Sequence, residues 1–401
     1  MGYSSNRSEI IWSSLYMKKS VVIQHIGILC FSILLLACTT PLVRTQKSPE
    51  LVAPTPSQQF NQYPAAQYFL SSWRNLPHWD EDPLDQAWSA WQKSCQSLSK
   101  SNQAEWRQMC EKARTVDAHS NPAIRDYFET YFNVWEIRQT KDVKQFARGS
   151  NEGLITSYYE PLLKGSLHRK GVYQTPLHRY PPSWQSSKDK LRPTRAALLS
   201  GHDLNGLEIA WVEDPVAAAF MQIQGSGKIQ LENQKILRLG FAGTNNQTFA
   251  SFGTWLINQN EITYAQASMQ GISDWAKKNP QRVQTMLNAN PRYVFFKVLE
   301  SSTSSIEGPI GSMGVSLTAG RSIAVDWQAM PKGAPVYLST TDPETGKPLE
   351  RLVFAQDTGS AIVGGVRADY YWGSGDAAGD KAGKMKQSGR MWVILPKGLG
   401  E

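Results

Sequence analysis

From Tyr68 to about Thr140, large apolar residues recur three or four positions apart, among them Trp73, Leu76, Trp88, Trp91, Leu98, Trp106, Met109, Tyr127, Tyr131 and Trp135. That period predicts amphipathic helices. Tryptophans lying on it read as core rather than as platforms for a ligand. After Gly153 the pattern changes to short alternating runs broken by glycine and proline, which predicts strands of a barrel or sandwich. Such runs fall at 293–298, 322–325, 335–338, 351–355, 361–366 and 391–395. Another apolar strand is expected to end at Gln222-Ile223-Gln224-Gly225-Ser226-Gly227. One helical interruption, 268–289, carries Met269, Ile272, Trp275, Val283, Met286 and Leu287 at helical spacing. There is no internal repeat and no phosphate-cradling glycine loop. Periodicity alone therefore predicts a mainly β chain with an N-terminal helical region.

The 401 residues leave room for two domains of ordinary size. Near the start, Leu34-Leu35-Leu36-Ala37-Cys38 closes an apolar run that follows Lys18-Lys19, the order of a secretory signal, and the run is short for a membrane span. It resembles a bacterial lipoprotein signal, which implies removal of residues 1–37 and acylation of Cys38. Thr39, where aspartate is absent, resembles cargo sorted to the outer membrane and facing the periplasm. Met17 is the expected true start, since residues 1–16 add charges a signal does not need. Residues 38–64, rich in Pro, Ser, Thr and Gln, then form a flexible tether.

Removing the signal lowers the formal charge from +8 to +6, which still favours an acidic partner. Of the four cysteines, Cys95 and Cys110 remain as a pair, and in an exported protein such a pair reads as a disulfide. Two cysteines without a neighbouring histidine cannot fill a zinc shell, and the histidines show no ligand spacing, so no metal or cofactor is expected. A serine hydrolase elbow is missing, and nothing marks nucleic-acid binding.

Chemistry concentrates near the C-terminus. Gln356-Asp357-Thr358-Gly359-Ser360 is followed by Val363-Gly364-Gly365-Val366-Arg367-Ala368-Asp369-Tyr370-Tyr371-Trp372-Gly373. Acids, tight-turn glycines and aromatics meet there, as a carboxyl doing acid/base work in a partly desolvated groove requires. The plainer reading is an Asx turn at Asp357 and a strand end at Asp369. Upstream, Ser322-Ile323-Ala324-Val325-Asp326 supplies a third aspartate.

These three blocks resemble the 3D domain, named for three aspartates. Tyr158-Tyr159-Glu160-Pro161, Trp211-Val212-Glu213-Asp214-Pro215, the Gln222–Gly227 block and Asn290-Pro291-Arg292-Tyr293 resemble the remaining blocks of the membrane-bound lytic murein transglycosylase A family. Ser360 departs from the pattern, which usually has a second glycine there. The resemblance implies a double-psi β-barrel built from 65–161 and 293–401, interrupted by a smaller inserted β-domain, 162–292, with a glycan groove between them. It implies cleavage of the β-1,4 bond between N-acetylmuramic acid and N-acetylglucosamine in peptidoglycan, with 1,6-anhydro ends and no cofactor. It implies that Asp369 carries the acid/base role, with Asp357 in support and Asp326 ordering a loop. Gln224, Gly225, Ser226 and Gly227 are expected at the substrate, with Tyr159, Glu160, Thr358, Arg367 and Trp372 as weaker candidates. The expected partners are peptidoglycan glycan strands and, through the lipid, the outer membrane. A polysaccharide hydrolase using Asp357 or Asp326 as second carboxylate, or a non-catalytic murein-binding lipoprotein, are the competing readings.

Overall fold

The computed structural model describes residues 59–60, 62–143, 145–299 and 308–399. The expected signal, Cys38 and most of the tether lie outside them. Two short strands, Gln59–Phe60 (β1) and Ala66–Leu70 (β2), precede three helices, Asp85–Leu98 (α1), Ala104–Lys112 (α2) and Asn121–Tyr131 (α3). Then come Phe132–Gln139 (β3), Gly153–Glu160 (β4), Leu162–Ser166 (β5), Thr175–His178 (β6), Arg195–Ser200 (α4), Glu208–Val212 (β7) and Pro215–Gln224 (α5). Gly227–Leu231 (β8) and Ile236–Thr244 (β9) are followed by Phe252–Asn258 (α6), Met269–Lys278 (α7), Val283–Asn288 (α8) and Val294–Leu299 (β10). The chain ends with Ser322–Val325 (β11), Pro335–Thr341 (β12), Pro348–Asp357 (β13), Arg367–Ser374 (β14), Asp376–Lys384 (α9) and Lys386–Pro396 (β15).

Two sheets organise these elements. The larger has nine strands in the order β1-β2-β3-β15-β12-β13-β11-β14-β4, and β15 also pairs with β4, bending the strands from β15 to β4 into a nearly closed barrel. The smaller has six strands, β10-β9-β8-β5-β7-β6. The chain leaves the barrel at Pro161, between β4 and β5, and the last strand of the smaller sheet is β10. The return therefore falls after Leu299 and not before Tyr293, as the boundary at 292 had it. The insert also holds helices α4 to α8, so it is an α+β unit rather than a β-domain.

Trp88, Trp91 and Trp106 are fully buried, and the ring of Trp91 stacks on Phe354 of β13 with centroids 5.9 Å apart, which seats the helices against the barrel. Cys95 and Cys110 are joined by a disulfide that ties α1 to α2.

Several expected elements differ. Residues 66–70 and 132–139 are strands, not helix: α3 stops at Tyr131, and Phe132–Gln139 alternates between buried and half-buried positions. The four-residue step from Tyr131 to Trp135 thus spans a helix end. The expected apolar strand before Gly225 is helix α5. The Asp214 carboxylate caps it by accepting from the N–H groups of Val216 and Ala217, Pro215 opens it, and Gly225, with φ 80°, closes it in the left-handed conformation. Its residues from Val216 to Gln222 are mostly buried, so the apolar run carries no helical stripe to read. The expected helix over 268–289 is broken at Pro280 into α7 and α8. Residues 361–366 form a loop, in which Gly364 has φ 115° and its N–H donates to the Asp326 carboxylate at 2.9 Å. Gln59–Phe60, expected in the tether, pairs with β2.

Candidate active site

Two strand registers bring distant acids together. In β14, Asp369 lies opposite Ala324 of β11, and Ala324 in turn lies opposite Asp357 of β13. Asp357 and Asp369 thus flank one small buried residue, with backbones two strand spacings apart, about 10 Å. On its other side β14 runs parallel to β4, setting Asp369 against Thr156 and Tyr371 against Tyr158. Since side chains alternate along a strand, Thr156, Tyr158 and Glu160 share a face with Arg367, Asp369 and Tyr371. Tyr158 and Tyr371 pack with Leu317, Ala324 and Ile362 in a small apolar cluster beside the acids.

The three aspartates differ in what their oxygens are already doing. Asp326 accepts from the N–H groups of Gln328 (2.9 Å) and Gly364, and so fixes the loop into β14. Asp357 is fully engaged. Its Oδ1 accepts from the Ser312 N–H (2.8 Å), the Ser312 hydroxyl (2.7 Å) and the Thr358 N–H (2.9 Å), and its Oδ2 accepts from the Tyr158 hydroxyl at 3.0 Å. Asp369 accepts on Oδ1 from the Thr156 hydroxyl. No described group donates to its Oδ2.

Burial is the largest influence on the Asp369 carboxyl and raises its pKa above the usual carboxylate value. The Arg367 guanidinium and the Thr156 hydroxyl pull the other way, and the negative charge of Asp357 adds to the rise. Burial also pushes the Tyr158 phenol well up, assisted by both aspartates, so it stays a neutral donor.

Toward the smaller sheet the same face continues as a polar chain. The Tyr371 hydroxyl is 3.5 Å from that of Ser374, which donates to Glu160 at 2.7 Å. Glu160, only 1% exposed, pairs with Lys228 of β8 at 3.0 Å. Gln224, at the end of α5, accepts from the Tyr159 N–H through its side-chain oxygen at 3.3 Å. Gly225 and Ser226 follow it half-buried. Gly227 sits where a Cβ would come within 2.3 Å of Met221.

Two expected substrate residues face away. Trp372 lies on the opposite side of β14 from Asp369: its ring contacts Tyr370 (centroids 4.8 Å apart), its indole N–H donates to Ser157, and Lys381 sits over it. Tyr159 likewise points to the other face of β4, against Gly379 of α9. Strand alternation gives the site Tyr158 instead, the neighbour within the same sequence block. Arg367 does share the Asp369 face, but donates to the carbonyl of Leu154. Thr358 meets Asp357 through its backbone. Thr156 and Ser312 were not anticipated; the glycines around Ser312, from Gly308 to Gly314, are the one local signal of a close-packed loop.

Residues 154–297 match the MltA specific insert domain and residues 321–395 match the 3D domain. A membrane-bound lytic murein transglycosylase A from Vibrio cholerae is 31% identical over 261 residues, covering 62% of this chain and 68% of the relative. The chain belongs to the membrane-bound lytic murein transglycosylase A family. It is an enzyme of the lytic transglycosylase class. Solved relatives include the lytic transglycosylase LtgG of Burkholderia pseudomallei, at 45% identity and TM-score 0.59, covering 84% of this chain and 97% of that one. MltA of Neisseria gonorrhoeae, at 31% identity and TM-score 0.72, covers 86% and 96%. The matched insert region spans β4 and the strands of the smaller sheet as far as Lys297 in β10, and the matched 3D region spans β11 to β15 of the larger sheet up to Leu395. Among the described residues, no helix is long and apolar enough to cross a membrane, and no cluster of His, Cys, Asp and Glu could hold a metal ion.

Proposed function

We propose that this enzyme cleaves the β-1,4 bond between N-acetylmuramic acid and N-acetylglucosamine in peptidoglycan and closes a 1,6-anhydro ring, with Asp369 as acid and then base. The protonated carboxyl gives its proton to the glycosidic oxygen as the bond to C1 breaks. The resulting carboxylate withdraws the proton of the muramic acid C6 hydroxyl, whose oxygen bonds to C1. No water is consumed. The single observation that carries this assignment is the free Oδ2 of Asp369, beside two aspartates whose oxygens are already taken. A hydrolase would need a second carboxylate to attack C1 or activate water. Asp357, with its four donors, suits holding the Ser312 loop and tuning Asp369 by its charge.

The groove lies between a double-psi barrel and its insert. Gln224, Gly225, Ser226 and Gly227 meet the glycan from the insert side, where α5 ends next to β4. Glu160 and Arg367 order the wall, through Lys228 and through the charge balance of Asp369. Cys38 carries the lipid that holds the enzyme on the periplasmic side of the outer membrane.

Digestion of purified sacculi in water enriched in ¹⁸O tests the reaction. Anhydro ends without incorporated label are expected; labelled reducing ends identify a hydrolase.

A further inference from the structure

One face of the smaller sheet is basic. Strands β5, β8, β9 and β10 carry Lys164, Lys228, Arg238 and Lys297 and contain no Asp or Glu. Register and alternation put all four on one side. Lys228 pairs directly with Arg238, Lys164 lies opposite Gln230 next along from Lys228, and Lys297 lies opposite Gly240, two residues from Arg238. The other side is the apolar one, where Ala218 and Met221 of α5 cover Ile229, Leu239 and Phe296. Trp211 stands opposite Ser166 on the basic side, with the Arg169 guanidinium over its ring at 5.6 Å. Like charges set opposite each other across a ladder destabilise a sheet. Glu160 offsets this at Lys228, but Lys164 and Lys297 are exposed and form no ion pair among the described residues.

The patch is continuous with the active site. Lys228 reaches both Glu160 and Ser374, on the same strand face as Asp369. Lys164 follows Glu160 by four residues along the chain, at most about 13 Å in extended backbone. A murein strand lying along the Asp369 face carries a peptide on each lactyl group, and that peptide bears free carboxylates. A stem of a few extended residues spans a comparable distance.

We propose that this basic face binds the carboxylates of the murein peptide stem, so that the enzyme prefers stem-bearing glycan over denuded glycan. This rests on the reaction proposed above. Lysines sharing one sheet face favour an extended anionic chain, and the carboxylate-bearing stem is the anion nearest to it.

The test compares soluble glycan chains with the same chains stripped of peptide by an amidase, using wild type and the K164Q/K297Q double variant. Both positions are exposed, and turnover of denuded chains reports the integrity of the fold. The variant is expected to raise KM for stem-bearing chains roughly five- to tenfold, leave KM for denuded chains unchanged, and preserve kcat on both. Added salt is expected to erase the wild-type preference. Equal KM changes on both substrates, or a change on neither, overturn the proposal. So does loss of binding to phosphatidylglycerol vesicles with both KM values unchanged, which makes the face a lipid contact. Anhydro ends from both substrates with no preference sink this inference alone; their absence from both sinks the reaction as well.

Discussion

Asp369 is held in a site that disfavours its charge, and that has a measurable cost. Because its folded pKa is raised above the unfolded value, the native state binds the proton more tightly, so stability falls as pH rises from the unfolded to the folded pKa. Asp369→Asn removes that penalty. Its melting temperature at pH 7 is expected to equal or exceed wild type, with the gap closing in acid, where wild type is protonated. A variant less stable at pH 7 than at pH 4, relative to wild type, would contradict this. In wild type the first step needs the protonated carboxyl, so kcat is expected to fall on the alkaline side of the raised pKa. The tyrosine pair gives a second test. Tyr158→Phe leaves Oδ2 of Asp357 without its donor and is expected to lower kcat on the order of ten- to a hundredfold, the worth of a hydrogen bond to a charged group. Tyr159→Phe, on the opposite face, is expected to stay near wild type. The aspartates were legible because glycines and aromatics crowd around them. Thr156 and Ser312 were not, since their contacts with Asp369 and Asp357 join strands and loops 213 and 45 residues apart.

At the scale of elements, periodicity reads well where one face is buried and poorly where both are. Helices α1 to α3 have a wet side and were anticipated; strands β11 to β13 are buried at most or all positions and were anticipated from their length and apolar composition instead. Helix α5 is buried nearly all round and was mistaken for a strand, although Asp214-Pro215 and Gly225 are capping signals that could have identified it. Strand β3 was hidden by a chance continuation of helical spacing past Tyr131. The Cys95–Cys110 bridge closes a short loop, a separation of 15 residues, across α1 and α2, away from the Asp369 face. Reducing it is expected to cost about 3 kcal/mol in the chain-entropy account, read as a lower denaturant midpoint. Activity under native conditions is expected to persist. Loss of activity in the folded, reduced protein would mean that the helical layer shapes the groove.

At the scale of the whole molecule, the insert leaves the barrel immediately after Glu160, so the same strand that positions Thr156 and Tyr158 also carries the joint to the smaller sheet. That joint is fastened by Lys228 on one side and by Gln224 on the other. The blocks of the resemblance indicated this interrupted plan, while periodicity alone showed only helices before strands. The return point escaped both because β10 pairs with β9 through backbone groups, which residue identity scarcely records. For the anchor, Cys38→Ser is expected to abolish incorporation of labelled fatty acid, and retained label would exclude the lipoprotein reading. The assignment of the reaction to one carboxyl is tested most directly by release of anhydro-muropeptides from sacculi by Asp369→Asn and Asp357→Asn, measured by mass spectrometry beside wild type. Asp369→Asn is expected to bind sacculi yet release anhydro product about 10²- to 10⁴-fold more slowly, with Asp357→Asn less impaired. Near-normal release by Asp369→Asn, with Asp357→Asn inactive, would contradict it and move the acid/base to Asp357.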